Sequence, residues 1–245
     1  MVSSDFRKEA RERMAGKWGK AVCITLVYFI VSFVLSFIQE NTTGFPNLVI
    51  SILSLLIETP LAFGLVICFV KLFNGENVKF YDFFSFGFDN FGKAWGIALR
   101  TFVKLIVPFI LMFVSIFLVS FGLTLSMSAG LFAAASGTSS SDGFLILSIV
   151  GIILFFFSMV WLIVKSYYYE LTHMIAAENP EMSSKEVVEK SKELMQNNRF
   201  KLFCLQFSFI GWIVLAMIPL GIGVIWVAPY MQFAAIAFYK HLIKE

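Results

Sequence analysis

LVISILSLLIETPLAFGLVICFVKL, residues Leu48 to Leu72, decides how this chain is read. Glu58 and Lys71 are its only charged residues. As a helix it measures about 37 Å at 1.5 Å per residue, enough to cross a bilayer core of about 30 Å. The rest of the chain has the same character. Of 245 residues, 59% are hydrophobic and 14% charged, with a mean hydropathy of +0.84. Soluble domains carry about 25% charged residues. A soluble fold of this length has too little interior to hide so much apolar surface, so hydrocarbon must serve as solvent.

Five further segments are apolar enough to span: about Ala21–Ile38, Leu105–Leu125, Phe144–Val164, Leu202–Ile218 and Ile222–Tyr239. The last two are separated only by Pro219-Leu220-Gly221, residue types that permit a tight reversal. One uninterrupted helix there would be nearly twice too long to span. All 19 Lys and Arg residues then fall before span one, from Lys71 at the end of span two to span three, between spans four and five, or after span six. The other three connections carry only Glu40 and Asp142. Positive charge stays cytoplasmic. The expected fold is therefore an all-α polytopic membrane helix bundle of six transmembrane helices, with both termini inside. The first apolar run follows a basic segment, as in a signal peptide. It has a full span's length and no small-x-small cleavage site, so it reads as a retained helix. The one long outer loop, Ser126–Gly143, contains Ser139-Ser140-Ser141 and reads as a flexible link. Cys23, Cys68 and Cys204 lie in or beside apolar runs, where they pack as small hydrophobes.

Each pair of spans follows an amphipathic cytoplasmic stretch. In the first, within residues 1–20, Phe6, Ala10, Met14 and Trp18 recur every four residues. The second, Phe80 to Trp95, places Phe80, Phe84, Phe88, Phe91 and Trp95 on one helical face. The third, Ser183 to Arg199, opens with Ser183 and Glu186 in capping-box spacing. Glu186 and Lys190 are spaced to pair, and Val187, Leu194 and Met195 form its apolar edge. Each stretch ends in a cation beside an aromatic: Lys17-Trp18, Lys93-Ala94-Trp95 and Arg199-Phe200. A repeated interfacial module explains this, and so does the need of any span for an anchor.

Few groups are suited to chemistry. Glu58 is the one ionisable side chain deep in a span, which makes it a default functional candidate. The competing reading is a neutral carboxyl bonded to a carbonyl freed by Pro60. Pro60 stands eleven residues before Lys71, and Pro229 eleven before Lys240, about 16 Å in each case. Two prolines at equal depth can break helices around a transport site, though structural kinks are also common. Arg100 and Lys104 sit one turn apart and can snorkel to the interface. Glu170 and His173 have the spacing of a metal pair but lack a second such pair. Ser32 and Ser36 have the small-xxx-small spacing of a close helix approach. No zinc-protease, nucleophile-elbow, phosphate-loop or dinucleotide motif occurs. No cofactor or metal is expected.

The last third carries a more specific signal. Glu178-Asn179-Pro180-Glu181, Ser191-Lys192-Glu193-Leu194-Met195 and Ser208-Phe209-Ile210-Gly211-Trp212 precede Gly221-Ile222-Gly223, Trp226, Pro229-Tyr230 and Phe238-Tyr239. With Ala10-Arg11 and Gly16-Lys17-Trp18, these resemble the bacterial integral membrane proteins of domain-of-unknown-function family 975. Two departures are Val164-Lys165, where members often have Pro-Gly, and Gln196, where they often have Gly. The resemblance implies a multi-pass protein of the bacterial cytoplasmic membrane and supplies no catalytic residue.

The leading expectation is a non-enzymatic scaffold, partner subunit or envelope-stress component. Its partners would be anionic lipid headgroups and another membrane protein, and not nucleic acid. Arg7, Arg11, Lys17, Trp18, Lys93, Trp95, Arg100, Lys104, Arg199 and Lys201 are the candidate lipid contacts. The alternative is a small-solute or ion permease built on Glu58, Pro60 and Pro229. A membrane-lipid enzyme would need Glu170, His173, Arg100 and Lys104 together.

Overall fold

The computed structural model describes residues 3–136, 143–218 and 221–244. Its elements in chain order are α1 (Ser3–Met14), α2 (Trp18–Glu40), α3 (Phe45–Phe73), α4 (Asp82–Asp89), α5 (Phe91–Ser136), α6 (Gly143–Ser166), a 3-10 turn (Tyr167–Tyr169), α7 (Thr172–Glu178), α8 (Ser184–Met195), α9 (Arg199–Phe207), α10 (Ile210–Met217) and α11 (Val224–Leu242). No strand occurs among the described residues. The expected serine link, Asp142, and Pro219-Leu220 of the expected reversal lie outside the described residues.

Five helical stretches are long and apolar enough to cross a membrane: Trp18–Glu40, Phe45–Phe73, Phe91–Phe132, Phe144–Glu178 and Arg199–Met217. The sixth expected segment is also helical, as α11, but it is not among these five. Tyr230, Gln232, Tyr239, Lys240 and His241 lower its apolarity. It is instead largely enclosed: Phe233, Ala234, Ile236, Ala237 and Phe238 are fully buried. Gly221, at φ 82°, turns the chain between α10 and α11, which pack together. A Cβ on Gly223 would lie 2.6 Å from the Ala216 Cα, so that approach needs glycine.

The chain forms two compact units. One contains the residues up to Arg100 and those from Tyr168 onward; the other is Thr101–Tyr167. In the first, each amphipathic helix docks on the helix closing a span pair: α4 on α3, α8 on α7, and α1 on α11. The α1 stripe behaves as its spacing predicts, since Phe6, Ala10 and Met14 are buried. They are buried against protein rather than lipid, and Phe6 meets Phe238 edge-on at 5.4 Å. The α8 capping box is present, with the Ser183 N–H donating to Glu186 at 2.8 Å and the Glu186 N–H to Ser183 at 3.3 Å. The Ser183 N–H and hydroxyl, both donating to the Glu186 carboxylate, hold it below the usual carboxylate range. The carboxylate serves the cap, and the expected Glu186–Lys190 ion pair does not form. Val187, Val188, Ser191 and Met195 make the buried face, with Leu194 at its margin.

The second stretch departs from expectation. The chain turns at Asn90, so Phe80 to Trp95 is not one helix, and Phe91–Trp95 begins α5. The buried face of α4 is Phe83 and Gly87, whereas Phe80, Phe88 and Phe91 are exposed. The cause is a backbone crossing on α3. A Cβ on Gly64 would lie 2.1 Å from the Phe83 carbonyl oxygen, and one on Gly87 would lie 2.5 Å from that of Pro60. Periodicity counts apolar side chains and cannot register a contact made by their absence.

In the second unit, the residues of α5 from Thr101 onward pair with α6 through small residues. Ser115, Ser148 and Ser158 are buried, and a Cβ on Gly122 would lie 2.5 Å from the Ser148 Oγ. The expected loop at Ser126–Gly143 is helical as far as Ser136. Close approach was expected at Ser32 and Ser36, but Ser36 is exposed.

Candidate functional site

α3 continues through Pro60, which is buried, and Glu58 beside it is half-buried. Proline lacks the N–H that would bond the carbonyl four residues earlier. That carbonyl, on Leu56, instead accepts from the Trp95 indole N–H at 3.5 Å. Glu58 therefore does not fill the role of partner to the freed carbonyl. Among the described residues no hydrogen bond or ion pair reaches its carboxyl, which lies within electrostatic reach of Tyr28. Pro229 is buried in α11. Neither of the two cavities described below is lined by Glu58, Pro60 or Pro229.

Several candidate lipid contacts have partners inside the protein. The Lys17 ammonium donates to the Leu72 carbonyl at 2.7 Å, near the C-terminus of α3. The Lys93 ammonium donates to the carbonyls of Ala176, Asn179 and Pro180, at 3.4, 2.9 and 2.8 Å, at the end of α7. Helix C-termini leave carbonyls unpaired and carry partial negative charge, so an ammonium satisfies both. In both cases the cation that opens one span pair caps a helix closing a pair. Arg199 departs from this pattern and stacks over the Tyr168 ring at 4.1 Å. Arg7 donates to the Ser208 carbonyl at 3.4 Å. Arg11, Arg100, Lys104 and Lys201 keep exposed side chains.

The segments that carry the family resemblance converge on Tyr230. Its ring meets Phe209 at 5.0 Å, Trp18 at 6.0 Å and Trp212 at 6.5 Å. Its hydroxyl donates to the Arg7 carbonyl at 3.2 Å. This cluster joins α1, α2, α10 and α11 and is packing chemistry, with the polar tip of Tyr satisfied. A second junction lies at the helix ends. Glu178 pairs with Lys240 of α11 and accepts from Asn74, just past α3, at 3.5 Å.

Two cavities lie near these helix ends. A groove of about 570 Å³ runs between α1 and the end of α11, lined by Asp5, Glu9, Glu12, Arg13, Lys240 and Lys244 among others. Side chains of both signs of charge line it. The second is a recess of about 150 Å³ between the start of α7, α9 and α11. Glu170, Gln206 and Gln232 are its polar lining, with Met174, Phe209 and Met231 among its apolar walls. Glu170 is crowded by protein yet open to solvent through the mouth, and Gln206 hydrogen-bonds it. No Lys, Arg or His lines the recess. His173, expected beside Glu170, points elsewhere. It packs against Phe63 at 5.5 Å, and its Nδ1 is buried without a partner. Among the described residues no three His, Cys, Asp or Glu side chains cluster to hold a metal. The amides Gln206 and Gln232 inside otherwise apolar spans were a visible signal for this recess that charge-based reading passed over.

No curated protein and no solved structure matches this chain. A family model does, across residues 1–245, and its description is protein of unknown function (DUF975). The chain therefore belongs to the DUF975 family.

Proposed function

We propose that the protein is a non-enzymatic, six-span component of a bacterial cytoplasmic membrane, a platform whose basic cytoplasmic side holds anionic lipid and can seat a membrane-protein partner. The observation that carries this reading is the division of labour among the cations. Lys17 and Lys93 act on helix ends, while Arg11, Arg100, Lys104 and Lys201 remain exposed. Exposed Phe80, Phe88, Phe91 and Phe200 add the aromatic character of an interface. In this reading α11 is the sixth span, shielded from lipid by its neighbours, and both termini are cytoplasmic. A span enclosed by protein does not need a fully apolar surface, which accounts for its tyrosines and glutamine. The permease alternative rests on Glu58, Pro60 and Pro229, none of which lines either cavity described above.

The test is lipid retention. Full-length protein is extracted from vesicles of mixed phosphatidylglycerol and phosphatidylcholine, and co-purifying lipid is quantified. The wild type should enrich phosphatidylglycerol. Changing Arg11, Arg100, Lys104 and Lys201 together to Gln should abolish the enrichment, at roughly fivefold per charge. Retention indifferent to headgroup charge would remove the basis for the reading. Reporter fusions at the two ends should both report cytoplasmic; opposite locations would reject six spans.

A further inference from the structure

We infer that Glu58 carries an exchangeable proton, taken from the outer surface along a polar seam between α2 and α3. This rests on α2 and α3 crossing the membrane as proposed above, but not on the basic surface. Asn47, Ser51, Ser54 and Glu58 recur at intervals of four, three and four residues, so they share one face of α3. Gln39, Ser32 and Tyr28 share one face of α2 by the same rule. Contacts at both ends of the seam show that these faces meet. At the outer end the Gln39 Nε2 donates to the Ser51 Oγ at 2.9 Å, and the Asn47 Nδ2 donates to the Gln39 carbonyl at 2.7 Å. At the inner end the Tyr28 hydroxyl is bonded to Ser32 and lies within electrostatic reach of Glu58. Between those ends, Ser54 is 6% exposed, and its Oγ has no hydrogen-bond partner among the described residues.

The chemistry of the seam selects a proton. Glu58 stands near the middle of α3, so in a spanning helix the part of it that protein leaves uncovered meets hydrocarbon. Among the described residues no ion pair reaches its carboxyl. An ionised carboxyl so placed lacks a counter-charge, whereas the neutral acid is tolerated. A metal cation asks for several oxygens at once. Gln39, Asn47 and Ser51 already bond one another, which leaves one hydroxyl and one carboxyl. A proton needs a single acceptor and a line of groups that both donate and accept, as serine hydroxyls do. Neighbours on the α3 face have Cβ atoms about 5–6 Å apart, a gap that one bridging water closes. The Ser51 hydroxyl donates outward, to the Asn47 carbonyl at 2.8 Å, and rotates to pass a proton inward. Each hydroxyl releases its own proton as it accepts another, and the last proton converts the Glu58 carboxylate to the acid. The charge of the chain rises by one, and only a proton from outer water is consumed.

The experiment labels the full-length wild-type protein, in vesicles of phosphatidylglycerol and phosphatidylcholine, with dicyclohexylcarbodiimide. This reagent adds to protonated carboxyls in apolar surroundings, and peptide mass spectrometry reads the label at Glu58. Labelling should be strong at low pH and fall along a one-proton curve as pH rises. Sodium chloride and potassium chloride should leave the curve equally unchanged. The seam is tested in spheroplasts, where an impermeant methanethiosulfonate reaches only the outer face. Ser54→Cys, a change of one atom, should react faster than Leu53→Cys by on the order of tenfold or more, because the thiolate forms only where water reaches it. Leu53 is 51% exposed and faces lipid in this topology. The same mass spectrometry separates these sites from Cys23, Cys68 and Cys204. No label at Glu58 at any pH, equal label at every pH, protection by sodium but not potassium, or Ser54→Cys as slow as Leu53→Cys would each overturn the inference. The carbodiimide arm needs no variant, so misfolding cannot shelter the idea. Reporter fusions test the spans and lipid retention tests the basic surface, so each reading can fail alone.

Discussion

The two compact units of this protein are packed in opposite ways. The larger buries its bulky side chains: Phe63, Phe69, Phe83, Phe233 and Phe238 are all below 2% exposed. The Thr101–Tyr167 unit buries serine and glycine and turns its bulky residues outward, with Phe113 66% and Phe117 64% exposed. Water drives the first arrangement, by rewarding removal of apolar surface. In hydrocarbon that reward vanishes, and helices associate through close backbone approach instead. The larger unit thus has an interior of the kind soluble domains have, although it also turns Phe33, Phe45 and Phe200 outward, while the smaller packs mainly through small residues. The two cavities and the lysine caps described above belong to the larger unit.

The contrast can be broken most directly at two phenylalanines. Phe233→Ala leaves a cavity in the buried core and should cost about 3–5 kcal/mol. Phe113→Ala should change stability by less than about 0.5 kcal/mol. Chemical denaturation in mixed micelles measures both, and similar values would erase the distinction between the units. A second comparison predicts opposite signs. Gly64→Ala drives a Cβ into the Phe83 backbone and should destabilise by about 1–3 kcal/mol. Gly130→Ala meets nothing within 4 Å and should be neutral or stabilising, by up to about 1 kcal/mol. Losing the Lys93 cap comes next. Lys93→Met strands three carbonyls and should cost about 1–3 kcal/mol, more than Lys17→Met, which strands one. Hydrogen exchange at α7 should rise in the first variant and stay unchanged in Lys104→Met.

The smallest effect concerns the α8 cap and has a definite pH sign. Glu186 is held below its ordinary range by the Ser183 N–H and hydroxyl. Its contribution is therefore present at neutral pH and is lost as pH falls through the lowered folded value. Ser183→Ala removes the hydroxyl but keeps the N–H, so it should weaken that acid-side dependence and slightly loosen α8, as read by exchange of its first-turn amides. An unchanged acid profile would show that the cap contributes nothing to stability.

Much of this is legible in the chain itself. The α1 stripe, the capping box at Ser183 and five of the apolar spans follow from spacing and length, both local properties of the chain. The α4 face was misread because Gly64 and Gly87 act by having no side chain. Lys17 and Lys93 looked like lipid anchors because nothing near them in the chain names Leu72 or Asn179 as partners. The recess was hidden for the same reason: Glu170, Gln206 and Gln232 lie on separate segments, and only helix packing brings them together.

By itself, then, the order of residues determined which stretches are helical and apolar and where the cations lie between them. Those properties depend on a residue and its neighbours within a few turns. Tertiary structure alone decided which cations cap helices and which stay exposed, that α1 closes on α11, and that a carboxylate meets two amides. Each of these requires groups far apart in the chain to meet, and helical periodicity carries no information about distant partners.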